Sequence, residues 1–170
     1  MNFLQAVSIP SSAKHAAQLQ ADQMGALRQS VLAGAGNLAG FCGEWLAAAS
    51  IPRLVLQHSY DHDAILTLSD ESEVTLDVKT NRYGRTAPRD YYSADIYESS
   101  LHQRCAVYAF VHVTEDYTQG WVIGVVRRED FFAHATKRTK GDVNPRNPQE
   151  RLRATSYSLS YGDIRRLSIL

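Results

Sequence analysis

Two apolar runs constrain the architecture of this chain more than any other feature: AVYAFVHV at residues 106–113 and GWVIGVV at 120–126. Both are rich in β-branched and aromatic residues, and neither alternates cleanly with polar ones. That pattern belongs to strands covered on both faces. A sheet with such strands at its centre needs a packed layer on each side.

The flanking sequence can supply those layers. Pro10-Ser11-Ser12 opens a helical stretch over 12–33, with serine as the cap. Met24, Leu27 and Val31 share one face of it, Gly25 weakens it, and Gly34-Ala35-Gly36 breaks it. Asn37 is placed to cap a second helix over 38–49, where Leu38, Phe41, Cys42, Trp45, Leu46 and Ala49 follow the helical period. Pro52 closes that helix. Residues 53–58 form a short β-like run. Residues 64–68 and 74–80 flank the polar turn Ser69-Asp70-Glu71-Ser72-Glu73 and read as a hairpin. Residues 81–104 read mostly as loop, 128–134 as a short helix and 137–149 as a mobile loop. Short elements at 157–159 and 164–170 close the chain. Helices, then strands, then mixed elements make an α/β or α+β sandwich.

At 170 residues, 44% hydrophobic and 21% charged, the chain has the composition of one globular domain. It divides into an N-terminal helical extension (1–36), a core (37–126) and a basic C-terminal region (127–170). The longest uncharged stretch, 29–43, contains four glycines and is too short to span a bilayer. The N-terminus lacks the basic start and apolar run of a secretory signal. Cys42 and Cys105 are the only cysteines, which argues against a disulfide framework or a Cys-rich zinc site and leads us to expect a cytoplasmic setting. Net charge is zero but unevenly spread. Residues 58–98 carry nine acids against four bases, and residues 127–166 carry ten bases against five acids. An acidic centre beside a basic region suits a metal site flanked by a polyanion-binding surface.

The chemistry concentrates in SYDHDAIL at 59–66 and LDVKT at 76–80. Residues two apart in a strand share a face, so Asp77 and Lys79 point the same way while Val74, Leu76 and Val78 point to the other. Directly opposed residues of a hairpin project to one side. With the turn centred on Asp70 or Glu71, Asp63 stands opposite Asp77 or Lys79. Two carboxylates so close repel unless a proton or cation lies between them. Mg²⁺, or Mn²⁺, is the natural cation, a hard ion that takes one or two carboxylates and keeps waters. Such an ion polarises a phosphate and acidifies a bound water, and a neighbouring lysine offsets charge building on the phosphate. Glu44, a carboxylate in the apolar helix GFCGEWLAAA, is a candidate further ligand to the metal or its water.

This arrangement resembles the PD-(D/E)xK nuclease superfamily, the restriction-endonuclease-like fold. The matching pieces are Glu44 on the helix before the sheet, Asp63 opening a strand, Asp77-Val78-Lys79 on the next, and the apolar strand that follows. The likeness covers about residues 37–126 and is one of order and spacing. It implies a mixed sheet of four to six strands flanked by helices. It also implies Asp63 and Asp77 as metal ligands, Lys79 as the catalytic lysine and Glu44 as an auxiliary acid. The implied activity is metal-dependent hydrolysis of DNA, with RNA as another possible substrate, by an endonuclease that pairs as a homodimer. A Holliday-junction-resolvase-like enzyme and a catalytically silent binding module are the rival readings, and a phage or mobile element is a fitting context. The sequence departs from the pattern at His62, which stands where the motif name has Pro. Asp61 competes with Asp63 as the first ligand.

Arg82 and Arg85, with Arg89, follow the catalytic strand and are candidates for phosphate contacts. Tyr91, Tyr92 and Tyr97 are candidates for stacking on unpaired bases, or for ordinary buried tyrosines. Lys137, Arg138 and Lys140, with Arg146, are candidates for a mobile DNA clamp. None of the six histidines forms an HExxH or zinc spacing. No nucleophile elbow or Walker-type phosphate loop is present.

Overall fold

A computed structural model describes residues 5–24, 36–57, 59, 61–145 and 147–170. The expected continuation of the first helix to residue 33, the Gly34-Ala35 break, His58 and Arg146 lie outside the described residues. The elements run β1 (Val7–Ser8), α1 (Ser11–Met24), α2 (Asn37–Ser50), β2 (Leu54–Leu56), β3 (Ala64–Thr67), β4 (Glu73–Arg82) and β5 (Ser93–Tyr97). A 3-10 turn, Glu98–Ser100, precedes β6 (Val107–Val113), β7 (Gln119–Arg127) and α3 (Arg128–His134). Then come β8 (Thr136–Arg138), β9 (Val143–Asn144), β10 (Asn147–Arg151), β11 (Ser156–Ser160) and α4 (Tyr161–Leu167).

The fold is mixed α+β. Six strands form one mixed sheet in the order β1-β7-β6-β4-β3-β2. Its β4–β6 pair is parallel and its other pairs are antiparallel. A parallel pair requires a crossover, and residues 83–106 provide it, carrying β5 and the 3-10 turn. A second sheet, β5-β11-β8, and the β9–β10 hairpin complete the strands described.

The apolar runs behave as their composition demands. Every residue of β6 is buried, as is β7 from Gly120 to Val126. One core joins Leu76, Val78, Val107, Ala109 and Val111 to Ala17 of α1 and to Cys42, Leu46 and Ala47 of α2. The other joins Tyr108, Phe110, Trp121 and Ile123 to Ile96 of β5, Phe131 of α3, and Tyr161 and Ile164 of α4. The central strands are thus sandwiched between α1–α2 and a layer built from α3, α4 and the second sheet. Gly124 is the contact point for α4, since a Cβ there would lie 3.0 Å from the Ile164 carbonyl oxygen.

Two local expectations need correction, and one between them holds. The second helix is preceded by Gly36 without a side-chain cap bond, and Asn37 is its first residue, not its cap. Residues 81–104 are mostly loop, as expected, and the loop is interrupted by β5, on which Ala94 and Ile96 alternate inward. Residues 137–149 are not a free loop, because β8 pairs with β11 from Thr136↔Ser158 to Arg138↔Ser156, and β9 pairs with β10. Every residue of β10 is exposed, so its strand rests on backbone pairing and leaves no hydrophobic pattern to read. The chain end over 161–167 is helix α4. There Ser160 accepts the Asp163 N–H at 3.1 Å, a serine cap. No helix among the described residues is long and apolar enough to cross a membrane.

Candidate active site

The β3–β4 hairpin pairs Ala64 with Leu76 and Thr67 with Glu73, which centres its turn on Asp70. One step beyond Ala64↔Leu76, Asp63 stands opposite Asp77. The Asp63 N–H donates to the Leu76 carbonyl at 3.0 Å. Its Oδ2 accepts the Val78 N–H at 2.8 Å. A carboxylate therefore extends the ladder just before β3 begins, and this fixes Asp63 against β4. Asp61 lies in the preceding turn, where its N–H donates to Ser59 Oγ at 3.3 Å.

On β4, Asp77 and Lys79 share a face by strand alternation. In the parallel register they lie beside Tyr108 and Phe110, so they project toward the α3–α4 layer. Asp77 is 2% exposed. Lys79 Nζ sits 2.5 Å from Asp77 Oδ2, an ion pair rather than an aligned hydrogen bond. The same ammonium donates to Gln103 Oε1 at 2.9 Å and lies 5.9 Å from the centre of the Tyr108 ring. Lys79 is thus held from three sides.

Glu44 comes from α2, which packs on β4. Gly43 makes that approach possible: a Cβ there would fall 1.9 Å from Thr80 Oγ1. Burial and then the charge of Asp77 push the Glu44 carboxyl up to about 7. Burial, followed by the charge and hydrogen bond of Asp77, pushes Asp63 up to about 8, against the pull of the Val78 N–H. The charge of Asp77 therefore opposes the ionisation of both other acids near a single ammonium, Glu44 coming from the α2 face of the sheet and Asp77 and Lys79 from the other.

The donor chemistry fits a hard divalent cation. Three carboxylates and one lysine leave two negative charges when all are ionised, and every available donor is oxygen. Among the described residues, no group of three His, Cys, Asp or Glu side chains is already drawn together as a metal site. A magnesium site does not require one, because the ion binds through one or two carboxylates and retains waters. Asp63 and Asp77 are the pair in position.

The other candidates divide into two groups. Arg82 ends β4, with its guanidinium donating to the Tyr117 hydroxyl at 2.6 Å, and Arg85 is exposed just beyond. Lys137 and Arg138 lie on β8, an edge strand of the second sheet, and Lys140 is exposed in the turn after it. Lys137 is 3.7 Å from Glu98. His62 Nδ1 contacts Ser59 Oγ at 3.0 Å within its own turn, and His112 is buried in the sheet.

Sequence reasoning missed Gln103 and Arg128. Gln103 orients Lys79, and the Arg128 guanidinium donates to the Gln103 and Leu101 carbonyls, tying down the segment that carries Gln103. Neither residue belongs to a recognisable spacing. Their roles arise from the crossover between β4 and β6. No protein-family profile matches the chain, and no characterised protein matches it in sequence.

Proposed function

We propose that the protein is a divalent-metal-dependent nuclease whose site is Asp63, Asp77 and Lys79, with Glu44 as auxiliary acid. One observation carries the reading: Asp63 and Asp77 are brought carboxyl to carboxyl across a hairpin, with Lys79 on the same strand face. Such an arrangement costs the folded protein electrostatic energy that the Lys79 ion pair only partly offsets, which supports a site that uses it. The mixed sheet and its flanking helices support the restriction-endonuclease-like reading.

Asp63 and Asp77 would hold Mg²⁺ or Mn²⁺, with Glu44 reaching the ion or a water beside it. When bound, the ion supplies Lewis-acid polarisation of the scissile phosphate and a water of lowered pKa. Lys79, steadied by Gln103 and the Tyr108 face, sets its ammonium toward charge that develops on the phosphate oxygens. A donor held in place before reaction stabilises that charge without reorganising. The Val78 N–H fixes one oxygen of Asp63 and so orients the other. DNA is the proposed substrate.

The test is incubation of the protein with plasmid, single-stranded DNA, branched DNA and RNA, each with Mg²⁺, Mn²⁺ or EDTA. Cleavage of a nucleic acid with metal and none with EDTA is expected. Binding without cleavage in any metal contradicts the enzymatic reading.

A further inference from the structure

A cleft of about 450 Å³ opens at the far end of β4 and is lined by Asn81, Tyr83, Tyr91, Tyr92, His112 and Tyr161, among others. Its walls are aromatic. Tyr92 meets Tyr83 edge-on at 5.6 Å, Tyr91 at 5.1 Å and Tyr161 at 6.2 Å between ring centres. Its floor is locked. His112 contacts the Tyr161 hydroxyl at 3.1 Å and the Tyr83 carbonyl at 2.9 Å. Asn81 donates to the Ser93 carbonyl and the Tyr161 hydroxyl. The rim is open, with Tyr91 70% and Tyr83 61% exposed. Two large aromatic side chains left in solvent on a rigid floor need a reason, since tyrosine is ordinarily half-buried or more.

The surroundings are cationic. Arg82 lines the cleft, the Arg89 guanidinium lies 5.9 Å from the centre of the Tyr91 ring, and Arg85 lies between them in sequence. Over 82–92 the sole acid is Asp90, which is ion-paired with Arg165. An aromatic cleft among arginines repels a cationic ligand and suits a flat π-system that carries a phosphate.

The position also matters. Asn81 shares a strand face with Lys79 and Asp77, and lies beside His112 in the parallel register. At about 3.3 Å per residue, the cleft is roughly 7 Å from Lys79 and 13 Å from Asp77 along β4. At about 3.4 Å per nucleotide of a strand, that is a reach of a few nucleotides.

We propose that this cleft takes one unpaired base of the strand being cut, stacked against Tyr83 and Tyr91, so that the substrate is single-stranded or carries an unpaired segment. The inference rests on the nuclease reading for its link to a cut site, and its test is one of binding.

The experiment measures fluorescence anisotropy in EDTA with a short labelled oligothymidylate and a blunt duplex of equal length. The wild-type protein is expected to prefer the single strand. Stacking is worth about 1–3 kcal/mol per base, so Tyr91→Ala and Tyr83→Ala should each weaken single-strand binding roughly 5- to 150-fold. Duplex binding should stay unchanged. Tyr91→Phe should bind like the wild type, because stacking needs the ring and not the hydroxyl. Both positions are exposed, so truncation leaves the fold intact. Unchanged single-strand affinity in the alanine variants, equal loss for both probes, or no wild-type binding to the single strand overturns the proposal. Cleavage with metal on the same preparations separates the two ideas. Cutting with no effect of the alanines on binding removes the base cleft and leaves the nuclease. Selective loss of single-strand binding, with no cutting in any metal, keeps the base cleft and removes the nuclease.

Discussion

Asp63 Oδ2 accepts the backbone N–H of Val78 at 2.8 Å, one residue past the point where Asp63 faces Asp77. The same carboxyl group is therefore a backbone partner for β4 and a candidate metal ligand. Structure and proposed chemistry separate cleanly by substitution at this position.

Asp63→Asn keeps an oxygen for the Val78 N–H and removes the charge. In EDTA its stability should match the wild type near pH 4 and exceed it as pH rises toward 8, while metal-dependent cleavage is lost. Asp63→Ala leaves a part-buried N–H without its acceptor and should cost about 1–3 kcal/mol in addition. Urea unfolding of both variants, alongside cleavage assays, checks the split. Equal stability of the two variants would mean that the hydrogen bond contributes nothing.

The raised carboxyls give the metal-free protein an unusual pH profile. Asp63 and Glu44 have folded-state pKa values of about 8 and about 7, against about 4 in an unfolded chain. Between those limits the folded state binds more protons than the unfolded one. Stability is then fully present below about pH 4 and is lost as pH rises toward 8. Each unit of difference is worth about 1.4 kcal/mol, so the fall should be measurable by urea unfolding at a series of pH values in EDTA. Other carboxylates, such as Asp116, held down to about 2 by bonds from Thr114 and Thr118, lose stability in the opposite sense below pH 4. The contribution of Asp63 is isolated by Asp63→Asn, which should flatten the slope between pH 5 and 8. An unaltered slope contradicts the raised Asp63 carboxyl.

Much of this was legible in the residues. The unbroken apolar runs of β6 and β7 marked a sheet covered on both faces, and the polar turn at 69–73 fixed the β3–β4 register to within a residue or two. That register brought Asp63 to Asp77. What remained hidden was set by tertiary contact: Gln103 steadies Lys79 from a crossover with no periodic pattern, and β10 is a strand with every side chain in solvent. The tyrosines at 91 and 92 illustrate the same limit. Composition cannot distinguish a buried ring from an exposed one, and here Tyr91 is open while Tyr92 is partly covered.

Gly43 should be intolerant of a side chain. Alanine gains about 1 kcal/mol of helix propensity, but its Cβ would meet Thr80 at 1.9 Å, and overpacking typically costs about 1–3 kcal/mol. Gly43→Ala should lower stability and cleavage together by lifting α2 and Glu44 from β4. Thr80→Ala in the same chain removes the closest contact and should recover part of both. Denaturation midpoints and rates for the three proteins check this, and a fully stable, fully active Gly43→Ala protein would contradict the packing argument.

Neutralising Lys137, Arg138 and Lys140 should weaken DNA binding and make its salt dependence shallower, by about 0.9 in the log–log slope for each duplex phosphate contact removed. Cleavage at saturating substrate should change little. An unchanged slope would mark the edge of the second sheet as an ordinary solvated surface.

The most direct test of the account is the single-turnover cleavage rate of Lys79→Ala in Mg²⁺, measured beside metal binding by calorimetry. Lys79 acts on charge that appears mainly in the transition state, and removing one such donor typically costs about 10²–10³-fold in rate. The account predicts a fall of that size, with metal affinity kept because Asp63 and Asp77 remain. If Lys79 serves only as the ion-pair partner of Asp77, the variant loses some stability and nothing in rate. Cleavage by Lys79→Ala at the wild-type rate would contradict the assignment.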